Sequence, residues 1–167
     1  IRHSRGVVYK MSQTQVERLF IKDKEKLMAT QWKVNASFTS GTGSELLDPT
    51  FTQLYAIGSA MTVSSGTWTF PFTGFFKVQF FVNFGSSQGS AYRGGDIRFT
   101  TNNSDYTVQH SGYTHTNDNQ YTAIGPYTTI VDVTDTSQCK VRFHIENAAT
   151  GTISTYTRVM FEYIGDT

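Results

Sequence analysis

The sequence predicts an all-β fold, a closed jelly-roll β-sandwich with a short N-terminal helical arm, and three observations carry that expectation. The first is composition: 167 residues include thirteen Phe and nine Tyr, many Ser and Thr, and little Ala, Leu or Glu. Such residues suit pleated, half-buried surfaces better than helices. The second is a period of two in the apolar positions, repeated in run after run from about residue 30 to the C-terminus. The third is what separates the runs: turn clusters such as "GSSQGS", "TNNSD", "GYTHTNDNQ" and "NAATGT", with no helical pattern between them. Eight or so short strands joined in this way close best as a sandwich or jelly roll, which limits unpaired edges.

Length and chemistry set further bounds. The chain suits one domain with a sizeable core. Its single cysteine, Cys139, can form no intrachain disulfide, so stability must come from packing. No stretch has the twenty or so apolar residues needed to span a bilayer, and no segment resembles a secretory signal, so no membrane insertion is expected. The start at Ile1 reads as a processed chain or part of a longer one.

The net charge of +1 is unevenly spread. Residues 1–33 hold eight Lys or Arg against Glu17, Asp23 and Glu25, a surplus of five, while the remainder is acidic by four. Because acids intersperse the basic residues, the arm reads as a solvated or docking segment, not as a nucleic-acid binder.

From Ser12, "SQTQVERLFIKDKEKLM" offers a capping box with Gln15, and then Val16, Leu19, Phe20 and Leu27 at helical spacing. This narrow apolar stripe is expected to lie on another surface, such as a neighbouring subunit. The chain therefore divides into an arm, residues 1–30, and a head, residues 31–167.

The head opens with "QWKVNASF", in which Trp32, Val34, Ala36 and Phe38 alternate as in one strand. Alternating runs follow at residues 54–63, 67–70, 75–84, 96–101, 127–133, 139–147 and 155–164. In "CKVRFHIEN", Cys139, Val141, Phe143 and Ile145 share the core face, whereas Lys140, Arg142, His144 and Glu146 share the wet one. In "GTWTFPFTGFFKVQFFVNF", Trp68 and Phe70 alternate on one strand, and Pro71 removes a ladder N–H where that strand stops. Thr73 and Gly74 permit the turn. Phe76, Val78, Phe80, Val82 and Phe84 then occupy one face of a central strand, each burial contributing about 2 kcal/mol.

This last motif resembles the complement C1q-like and tumour-necrosis-factor-like jelly-roll family. The likeness rests on Gly66, Phe70, Pro71, Gly74, Phe76, Val78 and Phe80, and on the late "YTRVMFEYIG", where Val159, Phe161 and Tyr163 would face inward. Its wording is similar to versions found in bacteriophage fibre knobs and virion structural proteins. The resemblance implies a compact homotrimer, packed through aromatic faces, with loops exposed for binding. The disulfide cysteines of some secreted members are absent, and the helical arm is outside the pattern.

The residues permit a trimer independently. Phe75 and Phe81 stand on the opposite parity from Phe76 and Phe80, as Tyr156 and Met160 do from Val159 and Phe161. Apolar residues on the outer parity mark an interface or a second buried layer, and cover from the chain's own arm or loops is the alternative.

Enzyme signals are weak: the sequence has no phosphate loop, nucleophile elbow, HExxH or paired-cysteine motif. His110, His115, Asp105 and Asp118 form the nearest constellation, but their spacing matches no metal geometry, so neither metal nor cofactor is expected. Tyr106, Tyr113 and Tyr121, mixed with those His, Asp and Asn residues, have the composition of a recognition loop and would suit a host-surface glycan or receptor. The expectation is a non-enzymatic virion protein of a bacteriophage, acting as a trimeric receptor-binding fibre knob or as a capsid decoration. The arm would attach it to other virion proteins. Alternatives are a small-virus single-jelly-roll capsid protein with its basic arm on the genome, or a secreted C1q-like or TNF-like ligand.

Overall fold

The computed structural model describes residues 26–85, 90–117 and 120–167. Within them, regular structure is entirely β: β1 (Met28–Val34), β2 (Phe38–Ser40), β3 (Gly43–Leu46), β4 (Phe51–Gly58), β5 (Thr62–Ser64), β6 (Thr67–Thr69), β7 (Gly74–Phe84), β8 (Ala91–Thr100), β9 (Thr107–Thr116), β10 (Thr122–Val133), β11 (Lys140–Asn147), β12 (Gly151–Ile153) and β13 (Arg158–Gly165).

Two antiparallel sheets result. In the first, β7 lies between β10 and β13, and the sheet continues through β1 to β4. The short pair β2 and β12 extends it, touching β7 at Phe84. In the second, the order is β5, β6, β11, β8, β9, with β3 also paired to β11 beyond the reach of β6. Every strand pair with a recorded register is antiparallel, so each strand can present one face to the core and one to water.

The alternation in the sequence becomes the core. Phe76, Val78, Phe80, Val82 and Phe84 are fully buried, and so are Val141, Phe143 and Ile145 from the facing sheet. Trp68 is the hub between the layers: its ring lies 5.3 Å from Trp32, 4.9 Å from Phe51, 5.0 Å from Phe161 and 6.2 Å from Phe143. Three of these pairs are edge-on, an arrangement aromatic quadrupoles favour by about 0.5–1.5 kcal/mol each beyond area burial. Just ahead of Trp68, Ser65 and Gly66 both have positive φ, 46° and 67°, and make the two-residue turn between β5 and β6. That geometry matches the right-handed twist of a hairpin.

Three expectations need correction. The helix predicted from Ser12 falls mostly outside the described residues, as do Val16, Leu19 and Phe20; its expected last residue, Met28, is instead the buried first residue of β1. The long strand read from Trp32 to Phe38 is two strands with a bend at residues 35–37, where Asn35 Oδ1 accepts from Thr52 Oγ1 and Ala36 points to solvent. The polar segment around residues 107–116, read as an exposed loop, is the ten-residue strand β9.

Trp68→Ala is expected to lower unfolding free energy by about 3–5 kcal/mol, since four rings would border the cavity it leaves. Urea titration followed by circular dichroism measures it.

Candidate functional site

Fixing the inner parity leaves two outward faces, one per sheet, and they differ in chemistry. On the first sheet the register sets Ile130, Lys77, Glu162, Ala29 and Ile57 in one row across the strands. Thr128, Gln79, Met160, Gln31 and Tyr55 form the next row. The charges in the first row cancel locally, Lys77 Nζ lying 2.9 Å from Glu162 Oε2. What remains is neutral and largely apolar: Tyr55, Ile57, Ile130, Phe75 and Met160 are all exposed. A groove of about 200 Å³ runs over Ala29, Gln31, Tyr55, Ile57, Gln79 and Met160.

Of the residues the sequence marked for assembly, Phe75 and Met160 are 38% and 40% exposed on this face, and Phe81 is half-buried beside Arg158. Tyr156 stands at the turn before β13, its ring centroid 6.0 Å from the Arg158 guanidinium. Ile130, Tyr55 and Ile57 join them unpredicted. Ile130 carried the same signal, an apolar residue out of step with buried Val131. Leu27, marked for docking, is exposed just ahead of β1, and its carbonyl accepts from Ser59 N–H.

The outward face of the second sheet is polar and tied together. Asp96 is almost fully buried there because Arg98 on the same strand grips both its oxygens, Nε to Oδ1 and Nη2 to Oδ2, each at 2.8 Å. The same guanidinium reaches Glu146 Oε1 at 3.1 Å and Ser44 Oγ at 2.9 Å. Two-point contact with one carboxylate and a third bond to another make this a rigid fork. Further along, the Arg142 guanidinium lies 4.0 Å from the ring centre of Tyr106 and donates to Thr67 Oγ1.

At the other end of this face, Glu146, Gly94 and Tyr113 lie in one row across β11, β8 and β9. A Cβ on Gly94 would come within 2.5 Å of the Tyr113 ring and 2.2 Å of the Gly112 carbonyl. Only a residue without a side chain lets Tyr113 recline across the strand. The adjacent Gly95 faces inward, where Phe80 covers it: a Cβ there would meet that ring at 2.7 Å. Beside Tyr113, Tyr92 projects to solvent with the His115 ring edge-on at 5.4 Å. Tyr92, Tyr113, Glu146, Asn147 and Ala148 enclose a cleft of about 240 Å³.

The recognition candidates thus divide by parity. Tyr113 and His115 share the outward face. His110 turns the other way, between the sheets, with Nδ1 2.9 Å from the Thr128 carbonyl oxygen and 3.1 Å from its N–H. Tyr127 completes that seam by donating to the Gly112 carbonyl at 2.8 Å, and burial pushes its phenol up to about 12. Tyr106 is held under Arg142, Tyr121 is exposed just ahead of β10, and Asp118 is outside the described residues. Tyr92 and Glu146 were not singled out from sequence; their pairing with Tyr113 depends on strand register, which one sequence does not display.

His144 sits opposite Asp96, with Nδ1 3.2 Å from Ser44 Oγ. Ser44 Oγ also accepts from Arg98 Nη2 at 2.9 Å. Burial first and the Arg98 guanidinium second hold the His144 pKa below the ordinary 6.5; Asp96 opposes them, and Arg142 adds a smaller push in the same direction as Arg98. A depressed imidazole adds stability that is complete above the unfolded-state pKa and is lost as pH falls through the folded one. Urea midpoints measured from pH 8 to pH 5 should therefore fall more steeply with acid in the wild type than in His144→Gln.

No family model matches the sequence, and no curated protein matches it. Solved structures do. Murine APRIL superposes with a TM-score of 0.63 at 10% identity, over 83% of this chain and 100% of that one. The Eiger TNF of S. frugiperda gives 0.62 at 9%, over 85% and 96%, and PRD1 vertex protein P5 gives 0.57 at 13%, over 83% and 74%. The head is a TNF-like jelly roll, and its fold is shared by murine APRIL, by the Eiger TNF and by a vertex protein. At such identities the likeness defines fold and not activity.

Proposed function

We propose that this protein is a non-enzymatic, homotrimeric jelly-roll head of a virus particle, a bacteriophage virion protein serving as a receptor-binding knob or capsid decoration. In this reading the arm, read from the sequence as residues 1–30 and ending where β1 opens at Met28, attaches it to other virion proteins, with Val16, Leu19, Phe20 and Leu27 as docking contacts, and the rest of the chain is the head. The observation that carries it is the outward face of the first sheet. Five exposed apolar side chains surround a self-neutralised ion pair there, and such a face is more stable against sister copies than against water. The vertex protein neighbour supports the setting, since a vertex belongs to a closed polyhedral shell. Tyr113 and His115 would then face outward, toward a host surface.

Sedimentation equilibrium at micromolar concentration should give three times the chain mass of 18.7 kDa, and Met160→Glu should give monomers. A monomeric wild type overturns the assembly.

The likeness to APRIL and Eiger TNF favours a second reading, a soluble ligand of that type. Removing residues 1–25 separates the roles. A decoration protein should lose its particle, a knob should still form trimers and bind cells, and a soluble ligand should show no particle association with or without the arm.

A further inference from the structure

We infer that the cleft between Tyr92 and Tyr113 binds one ring of a neutral saccharide; this rests on the receptor-binding reading and names the chemistry it would use. Three observations converge. Two exposed phenol rings flank the cleft. Both are braced, Tyr113 by reclining over Gly94 and Tyr92 by the edge-on His115 ring. Braced, exposed aromatic rings are costly to keep in water and offer the flat apolar surface on which the C–H face of a pyranose packs, at little loss of side-chain freedom.

The polar equipment also fits. Glu146 Oε1 is fixed by Arg98, while Oε2 has no protein donor among the described residues, which leaves a carboxylate oxygen able to accept from a sugar hydroxyl. Charge-assisted bonds of this kind are the strong ones. The carboxylate is held in place by the fork that grips Asp96, so it need not be ordered when ligand arrives.

Charge decides which sugars. On this outward face Asp96 and Glu146 share the cation Arg98, while Arg93 turns inward onto Asn147 Oδ1 and the Ala149 carbonyl, and Arg142 lies four residues from Glu146 along β11, about 13 Å away. That field also pushes the Tyr113 phenol upward, after burial. Neutral sugars are accepted and acidic ones repelled. The volume, about 240 Å³, is below the usual 300–1,000 Å³ for ligand clefts and admits one ring.

The test is an amide-resolved NMR titration of the full chain with methyl galactoside, methyl glucoside, methyl mannoside and methyl N-acetylglucosaminide. Glucuronate and N-acetylneuraminate are titrated in parallel. At least one neutral glycoside should give saturable shifts at Tyr92, Tyr113 and Glu146, with Kd on the order of millimolar, and the acids should bind about tenfold more weakly. Tyr113→Ala and Glu146→Gln should each weaken binding by about fivefold or more, and Gln138→Ala, in the exposed turn between β10 and β11 at the far end of the sheet, should leave it unchanged. Absence of saturable shifts with every neutral glycoside, or equal binding by both cleft variants, overturns the inference. So does cell attachment that survives periodate oxidation of surface glycans yet is lost in Tyr113→Ala, because the cleft would then hold a protein. Sedimentation of the same samples keeps the readings apart: sugar binding by a monomer overturns the assembly alone.

Discussion

Everything in this head is referred to β7, whose every second side chain is sealed in the core while neighbouring strands pair along both its edges. A strand held in this way cannot slip by one residue without turning five buried side chains to water and five outer ones inward, including Lys77, Gln79 and Asn83. Register therefore propagates outward from it. β13 and β10 are fixed by β7, β1 by β13 and β4 by β1, and the rows of Met160, Ile130, Tyr55 and Ile57 on the outer face follow from that chain of pairings. Burial of one face has in effect determined what the other can display.

The inner half of the structure was legible in the sequence for the same reason. Period-two alternation is a direct record of burial, so the inward residues of β7 and β11 could be named from spacing, and those of β13 from the resemblance of its motif to a jelly-roll core strand. The failures share a physical cause as well. β9 has one buried residue, Thr116, and its remaining positions are exposed or half-buried, so nothing in "TVQHSGYTHT" records a core and the segment looks like a loop. The break at residues 35–37 was hidden because Ala36 fits an apolar pattern while pointing to solvent. The cleft was half legible. Tyr113 and His115 stood out by type, but Tyr92 and Glu146 enter only through cross-strand register, and Gly94 matters through what it leaves uncovered.

The two sheets achieve order by different means. The first relies on rings and aliphatic groups, whereas the outward side of the second relies on one guanidinium serving Asp96, Glu146 and Ser44 at once. Hydrogen bonding to Asp96, the largest influence on Arg98, raises its pKa and keeps it charged. An almost fully buried aspartate is tolerable only while so gripped. A network of this kind adds less to stability than to uniqueness of arrangement, and it holds Glu146 and His144 to defined positions.

The sandwich also closes unequally at its two sides. Between β9 and β10 the seam is stitched by His110 and Tyr127, but among the described residues β4 ends the first sheet with no strand paired to its outer edge. Its eight residues, "FTQLYAIG", contain no charge and no proline, the devices by which proteins ordinarily discourage strand-to-strand growth. Concentrated solutions of the head would begin to aggregate by lateral addition at that border, and one lysine there would act as a gatekeeper without touching the core.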